Sequence, residues 1–173
     1  MKILFSIVVL LFCASCVKEI KLPDSHIEFV SVTETKDSPF LDLRFSSKTD
    51  LLTFFKSNTG EDQLGEALIC SLDQSVPFEK RQDLPRYLEG EMVEVGGPGP
   101  GPEGKHIYSA RLFAMQTPDG GISSTFIPKA QLLEVLRGQD LLACRVFTSS
   151  YSYGGYYSNS MSVPAVEVVR AIE

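Results

Sequence analysis

Apolar and polar side chains alternate without a fault along Leu41-Asp42-Leu43-Arg44-Phe45-Ser46. That period of two belongs to a strand with one face buried and one face wet. Residues 27–32 supply a plausible partner before it. Residues 51–55 are apolar without alternation and read as a strand or a short turn of helix. Ser57-Asn58-Thr59-Gly60 is a turn signal. Residues 67–72 are short, apolar and closed by polar residues, so they read as a strand. Residues 82–88 contain Pro85 and read ambiguously, whereas 91–95 alternate weakly and read as a strand.

Gly96-Gly97-Pro98-Gly99-Pro100-Gly101-Pro102-Glu103-Gly104 excludes a helix and a central strand. It is an exposed loop or a boundary between halves. The loop is preferred, because neither half is large enough for a comfortable core of its own. Residues 107–116 predict the longest strand, Asp119-Gly120-Gly121 a turn, and 124–127 a short return. Residues 140–148 predict another strand. The stretch 163–172 closes the chain as a strand or one short helix. A helix is convincing only over 128–137, where Pro128 suits the first turn and Leu132, Leu133 and Leu136 share a face. Gly138 can end it. The expectation is a mainly β domain of seven to nine short strands with one or two small helices. Such a pattern makes an antiparallel β-sandwich or a partly closed barrel. A faint repeat accompanies it. Ser124-Thr125-Phe126-Ile127-Pro128 and the apolar run after it are echoed by Ser160-Met161-Ser162-Val163-Pro164 and the run after that.

Composition adds limits. The chain has 173 residues, 16 Lys plus Arg and 22 Asp plus Glu, and a formal charge of -6. An acidic balance argues against a general nucleic-acid binder. Apolar residues at 43% are too many for a disordered chain.

The first residues are an address. Lys2 precedes an apolar run of roughly ten residues, too short to span a membrane and typical of a secretory signal. The ending Cys13-Ala14-Ser15-Cys16 resembles a bacterial lipobox, with Cys13 standing where that family usually shows Leu. The resemblance implies that Cys16 receives lipid of the palmitate type and becomes the new N-terminus. Two acyl chains anchor a protein stably where one does not. Val17 and Lys18 follow the cysteine, a pattern compatible with export to the outer membrane. A plain secretory signal cut near Ser15, or an uncleaved anchor, are the alternatives. The organisation expected is a signal peptide over 1–15, a tether over 16–26 and one β-rich domain over 27–173. A second likeness is local: Ala143-Cys144-Arg145-Val146-Phe147 and Tyr157-Ser158-Asn159-Ser160-Met161 resemble the last two strands of fibronectin type III-like sandwiches. The tryptophan those sandwiches carry on an earlier strand is missing here.

Cys70 shares a strand face with Leu68 and Leu72, and Cys144 one with Leu142 and Val146. Both sulfurs are therefore expected in the core, where an inter-sheet disulfide is reasonable in an oxidising compartment. Two buried free thiols are the alternative. His26 in the tether and His106 at a strand entry read as solvated surface residues. The chain lacks the Gly-x-Ser-x-Gly elbow of serine hydrolases and any zinc-ligand spacing. Asp73, Glu79, Asp83, Glu89, Glu91 and Glu94 cluster by sequence, but strand geometry would spread them. No catalytic residue, metal ligand or cofactor is assigned.

The most distinctive polar stretch runs Thr148-Ser149-Ser150-Tyr151-Ser152-Tyr153-Gly154-Gly155-Tyr156-Tyr157-Ser158-Asn159. Tyrosine gives contact area at low entropic cost, and Ser and Gly let a loop adapt, as in antibody recognition loops. Tyr151, Tyr153, Tyr156, Tyr157 and Asn159 are the candidate binding loop. A hairpin whose tyrosines pack on their own sheet is the alternative. These readings combine into a non-catalytic, lipid-anchored cell-envelope protein that binds or organises another envelope component, a protein or a glycan. A ligand-binding module, an inhibitor or immunity lipoprotein, and an envelope hydrolase are the other readings.

Overall fold

The alternation at residues 41–46 builds β2 (Leu41–Ser47), whose Leu41, Leu43 and Phe45 turn inward and are almost completely buried. The computed structural model describes residues 22–35, 40–97, 99–118 and 123–173. The signal segment, Cys16 and the tether as far as residue 21 lie outside the described residues. After β1 (Ile27–Glu34) and β2 come α1 (Phe54–Thr59), β3 (Leu64–Ser71), β4 (Arg86–Glu94), β5 (His106–Gln116) and β6 (Thr125–Phe126). They are followed by α2 (Lys129–Arg137), β7 (Leu141–Ser150), β8 (Gly154–Tyr157), β9 (Met161–Pro164) and α3 (Ala165–Ile172).

The protein is mainly β, as the pattern predicts. The strands form one sheet in the order β1-β2-β5-β4-β3-β7-β8, with β6 paired to β5 and β9 to β7. Every pairing is antiparallel. The free edge of β7 carries β8 and β9 end to end, through Phe147–Tyr157 and Leu142–Val163 among others. The sheet curls until it is nearly closed. Tyr156 helps hold the ends together: its hydroxyl donates to Pro23 O at 3.0 Å and accepts from Ser25 N at 2.9 Å. Asn159 N donates to Ser25 O at 3.0 Å. The segment just before β1 is thereby tied to the end of β8 and the turn into β9.

Among the described residues three α-helices are present, one more than expected. Residues 51–55 do not form a strand. Residues 51–53 lead into α1, which takes in Phe54 and Phe55 and ends at Gly60 in the left-handed conformation (φ 79°) that glycine adopts without steric cost. The stretch 163–172 divides into the end of β9 and α3. The faint repeat has a structural counterpart in β6–Pro128–α2 and β9–Pro164–α3. Each is a short strand, a proline in extended conformation at the N-cap, and an amphipathic helix. Leu132 corresponds to Val168 and Leu136 to Ile172, and all four are buried. Pro128 therefore precedes the first turn instead of occupying it. Arg137 and Glu173 pair at 2.7 Å across the two helices.

The barrel interior holds one large apolar cluster that includes Leu43, Phe45, Leu68, Leu88, Leu112, Val146 and Val168. Burial of each such side chain contributes on the order of 1.5–3 kcal/mol. Cys70 and Cys144 are fully buried within it and disulfide-bonded, at a sequence separation of 74. The bond is not inter-sheet, which corrects the expectation. Cys70 and Cys144 face each other on neighbouring strands β3 and β7, because the chain makes one curled sheet in place of two facing ones.

Candidate functional site

Along β4, Leu88 and Met92 point into the barrel, while the half-buried Glu89 and the exposed Glu91 and Val93 lie on the outer face. Gly90 sits between them. A Cβ built there would stand 1.9 Å from the carbonyl oxygen of Arg111, so only glycine lets β4 lie this close against β5. The β3–β4 ladder runs from Ser71–Tyr87 to Ala67–Glu91. Beyond it β3 stays with β7, through Glu66–Thr148 and Leu64–Ser149. Strand β4 stays with β5, through Met92–Ala110 to Glu94–Tyr108. The two strands part after Glu91.

A groove of about 580 Å³ lies over the outer face at this parting. Ala67, Phe113 and Phe147 give it an apolar lining, and Glu89, Glu91 and Arg111 add charge; Glu66 borders it too, but pairs with Thr148 in the inward phase of β3 and accepts from Gln63 Nε2 at 2.9 Å. Phe113 meets Phe40 and Phe126 edge-on, at 6.4 and 5.7 Å between ring centres. Phe126 is 68% exposed, and Val93 and Leu64 on the two diverging strands are 62% and 37% exposed. A second depression, of about 240 Å³, shares Glu89 and Phe147 with the first and is lined further by Arg81, Leu84, Tyr87 and Tyr157.

Glu89 stands between the two. Arg81 Nη2 approaches its Oε2 at 3.0 Å and also donates to the Tyr87 hydroxyl at 3.1 Å. Burial pushes the Glu89 carboxyl above the usual carboxylate range, and Arg81 offsets only part of that. The segment after β3 folds back over part of this face, with Val76, Phe78 and Leu84 packing near Ile69 and Tyr87. Arg145 secures it. Its Nε donates to Ser158 O at 2.7 Å and its Nη1 to Phe78 O at 3.1 Å. The guanidinium lies over the rings of Tyr157 and Phe78, at 5.2 and 5.8 Å. Asp73 accepts from Ser75 Oγ and from Arg86 Nη2, at 2.8 and 3.1 Å, and these bonds hold its carboxyl below its ordinary value.

The tyrosine stretch is spread over several neighbours. Tyr156 stacks on Phe54 with ring centres 4.2 Å apart, and its hydroxyl closes the barrel seam. Tyr157 packs on Phe147 at 5.0 Å and accepts Arg81 N–H at 3.0 Å. Tyr153 stacks at 6.4 Å on Phe55. Asn159 Nδ2 lies 3.2 Å from His26 Nδ1. Tyr151 is 89% exposed. The five candidates do not share one surface, since Tyr156 and Tyr157 occupy opposite faces of β8.

The acidic residues are spread too: Asp73 pairs with Arg86, Glu89 with Arg81 and Glu94 with His106. No metal-holding cluster of His, Cys, Asp or Glu occurs among the described residues. His106 corrects the sequence reading. It is buried inside the end of the barrel, with Nδ1 2.7 Å from Glu94 Oε1 and its ring stacked near Tyr108. The strand phase explains this, since His106, Tyr108 and Ala110 share the inward face of β5. Burial raises the Tyr108 hydroxyl far above its ordinary value; that hydroxyl accepts Leu51 N–H at 2.9 Å. Sequence reasoning did not find the groove. The available signals were a lone glycine inside a strand pattern and Phe113 at an outward position of β5.

No family model, curated protein or solved structure matches this chain.

Proposed function

We propose that the protein is a non-catalytic, lipid-anchored component of the bacterial cell envelope that binds another envelope component through the outer face of its barrel. Acylation of Cys16 would supply the location, and the outer membrane is the destination the residues after Cys16 favour. The observation that carries the binding role is the groove where β3 and β4 part. There Ala67, Phe113 and Phe147 are only half-buried, with the exposed Phe126 beside them, on a face that the segment after β3 covers elsewhere. Contiguous exposed apolar surface of this kind is a common mark of an interaction site. The tyrosine stretch supports the reading differently: Tyr153, Tyr156 and Tyr157 brace the scaffold that presents the groove.

The test has two readouts in the native cell. Mass spectrometry of the membrane-extracted protein should show Cys16 acylated. Benzoylphenylalanine placed at position 126, beside the groove, should give one dominant adduct that Phe113→Ala suppresses. The same probe at position 44, on the outer face of β2, should give none. Equal adducts from both positions, or an unmodified Cys16, would sink the corresponding half of the proposal.

A further inference from the structure

The smaller depression, of about 240 Å³, has a wall of connected polar groups. Thr117 Oγ1 lies 3.2 Å from Ser124 Oγ, which lies 3.3 Å from the hydroxyl of the buried Tyr87. Arg81 Nη2 donates to that hydroxyl and reaches Glu89 Oε2, so five side chains form one run along the depression. The strand order places Thr117 and Ser124 on the β5–β6 side of Glu89, and the half-buried Phe147 and Tyr157 on the β7–β8 side. Among the described lining residues only Arg81 and Glu89 are charged, and they neutralise one another. An ammonium ligand would have to displace Arg81, and an anionic one would have to displace Glu89. The run keeps unused valences of both kinds. Among the described residues Glu89 Oε1 accepts no hydrogen bond, and Arg81 Nε and Nη1 donate none. An apolar ligand would strip water from these groups without replacing its bonds. A hydroxyl donates and accepts at once, so it can serve Glu89 and Arg81 together.

We propose that this depression seats one sugar of an uncharged glycan chain, whose next sugars lie along the larger groove toward Phe113. Hydroxyls on the edge of the seated sugar donate to Glu89 Oε1 and accept from the guanidinium of Arg81. Its C–H face lies against Phe147, which supplies the apolar contact. The depression shares Glu89 and Phe147 with the larger groove, so a ligand longer than one ring has a continuous path out of it. The volume falls below the roughly 300–1,000 Å³ of pockets that enclose a drug-sized molecule, which suits one ring of a chain that continues outside. The inference rests on the outer face of the barrel being the binding face, and it names the chemistry bound there.

Benzoylphenylalanine at position 82, on the exposed rim of the depression, tests it in the native cell. Gln82 makes no side-chain hydrogen bond among the described residues, so its replacement leaves the polar run intact. After irradiation and exhaustive proteolysis, mass spectrometry of the peptide that carries position 82 should show hexose or N-acetylhexosamine residues attached. Glu89→Gln should lower that yield at least about fivefold, because a neutral amide replaces a charged acceptor. Thermal unfolding confirms that the variant is folded. Amino-acid residues or charged sugars in place of neutral ones, or a yield unchanged in Glu89→Gln, overturns the inference. So does the absence of an adduct at position 82 while the adduct at 126 still forms and depends on Phe113, an outcome that leaves the envelope-binding role standing. Loss of both adducts overturns the two together.

Discussion

The carbonyl oxygen of Arg111 occupies the space that a Cβ on Gly90 would need, 1.9 Å from its ideal position. Backbone, not a movable side chain, fills that space. The Gly90→Ala variant must therefore push β4 away from β5 in the middle of the sheet. Overpacking of a tight interior costs about 1–3 kcal/mol, occasionally more. Urea unfolding should show a loss of at least that size. A change below about 0.5 kcal/mol would mean that the close approach is not a constraint. Because β3 and β4 part just beyond Gly90, the variant should also disturb the groove.

This relationship marks where the sequence stops being legible. β2 and β5 follow directly from alternation, because one face of each meets a continuous apolar core and the other meets water. Helix α2 was readable from Leu132, Leu133 and Leu136. Helix α3 was readable only as one of two alternatives, because Val166, Val168 and Val169 suit a strand as well as a helix. The decisive cue was the correspondence of Pro164 to Pro128. His106 was misplaced by the polar residue before it, although its phase with Tyr108 pointed inward. The groove arises where two strands choose different neighbours. That choice depends on the register of β3 against β7, which no local pattern of residues encodes.

Tyr156 and Tyr151 should behave oppositely although only four residues separate them. Tyr156→Phe keeps the stack on Phe54 and removes the hydroxyl that serves Pro23 O and Ser25 N. Loss of such bonds costs about 0.5–1.5 kcal/mol. Amide exchange at Ser25 should accelerate with it. Tyr151→Ala removes an exposed ring and should change stability by less than about 0.5 kcal/mol. If Tyr151→Ala abolished partner binding without altering stability, the turn at its tip would take over the recognition role assigned to the groove.

The disulfide should account for a large part of the stability. Cys70 and Cys144 close a 74-residue loop, and removing a native disulfide from a small secreted domain costs about 2–5 kcal/mol. The double variant Cys70→Ala/Cys144→Ala also loses two buried sulfurs that fill the core. Urea midpoints compared with those of the native protein under reducing conditions separate the two contributions. Equal stability of the oxidised and reduced native protein would show that the cross-link adds nothing.

Glu89 gives a pH dependence of defined sign. Its carboxyl in the folded protein sits above the ordinary value of 4.5, with burial the largest cause and Arg81 opposing it. The folded state therefore binds this proton more tightly than the unfolded chain. The stabilisation is fully present below the ordinary value and is lost as pH rises through the folded value. At pH 7 the ionised group is a partly compensated burden. Glu89→Gln removes that burden while Arg81 keeps its bond to the Tyr87 hydroxyl. The variant should be as stable as the native protein at pH 7, or slightly more so, and its advantage should shrink on acidification toward pH 4.5. Parallel thermal melts between those limits measure the difference. A variant clearly weaker at pH 7, with the deficit closing in acid, would show that the ion pair with Arg81 outweighs desolvation and that Glu89 anchors the segment after β3.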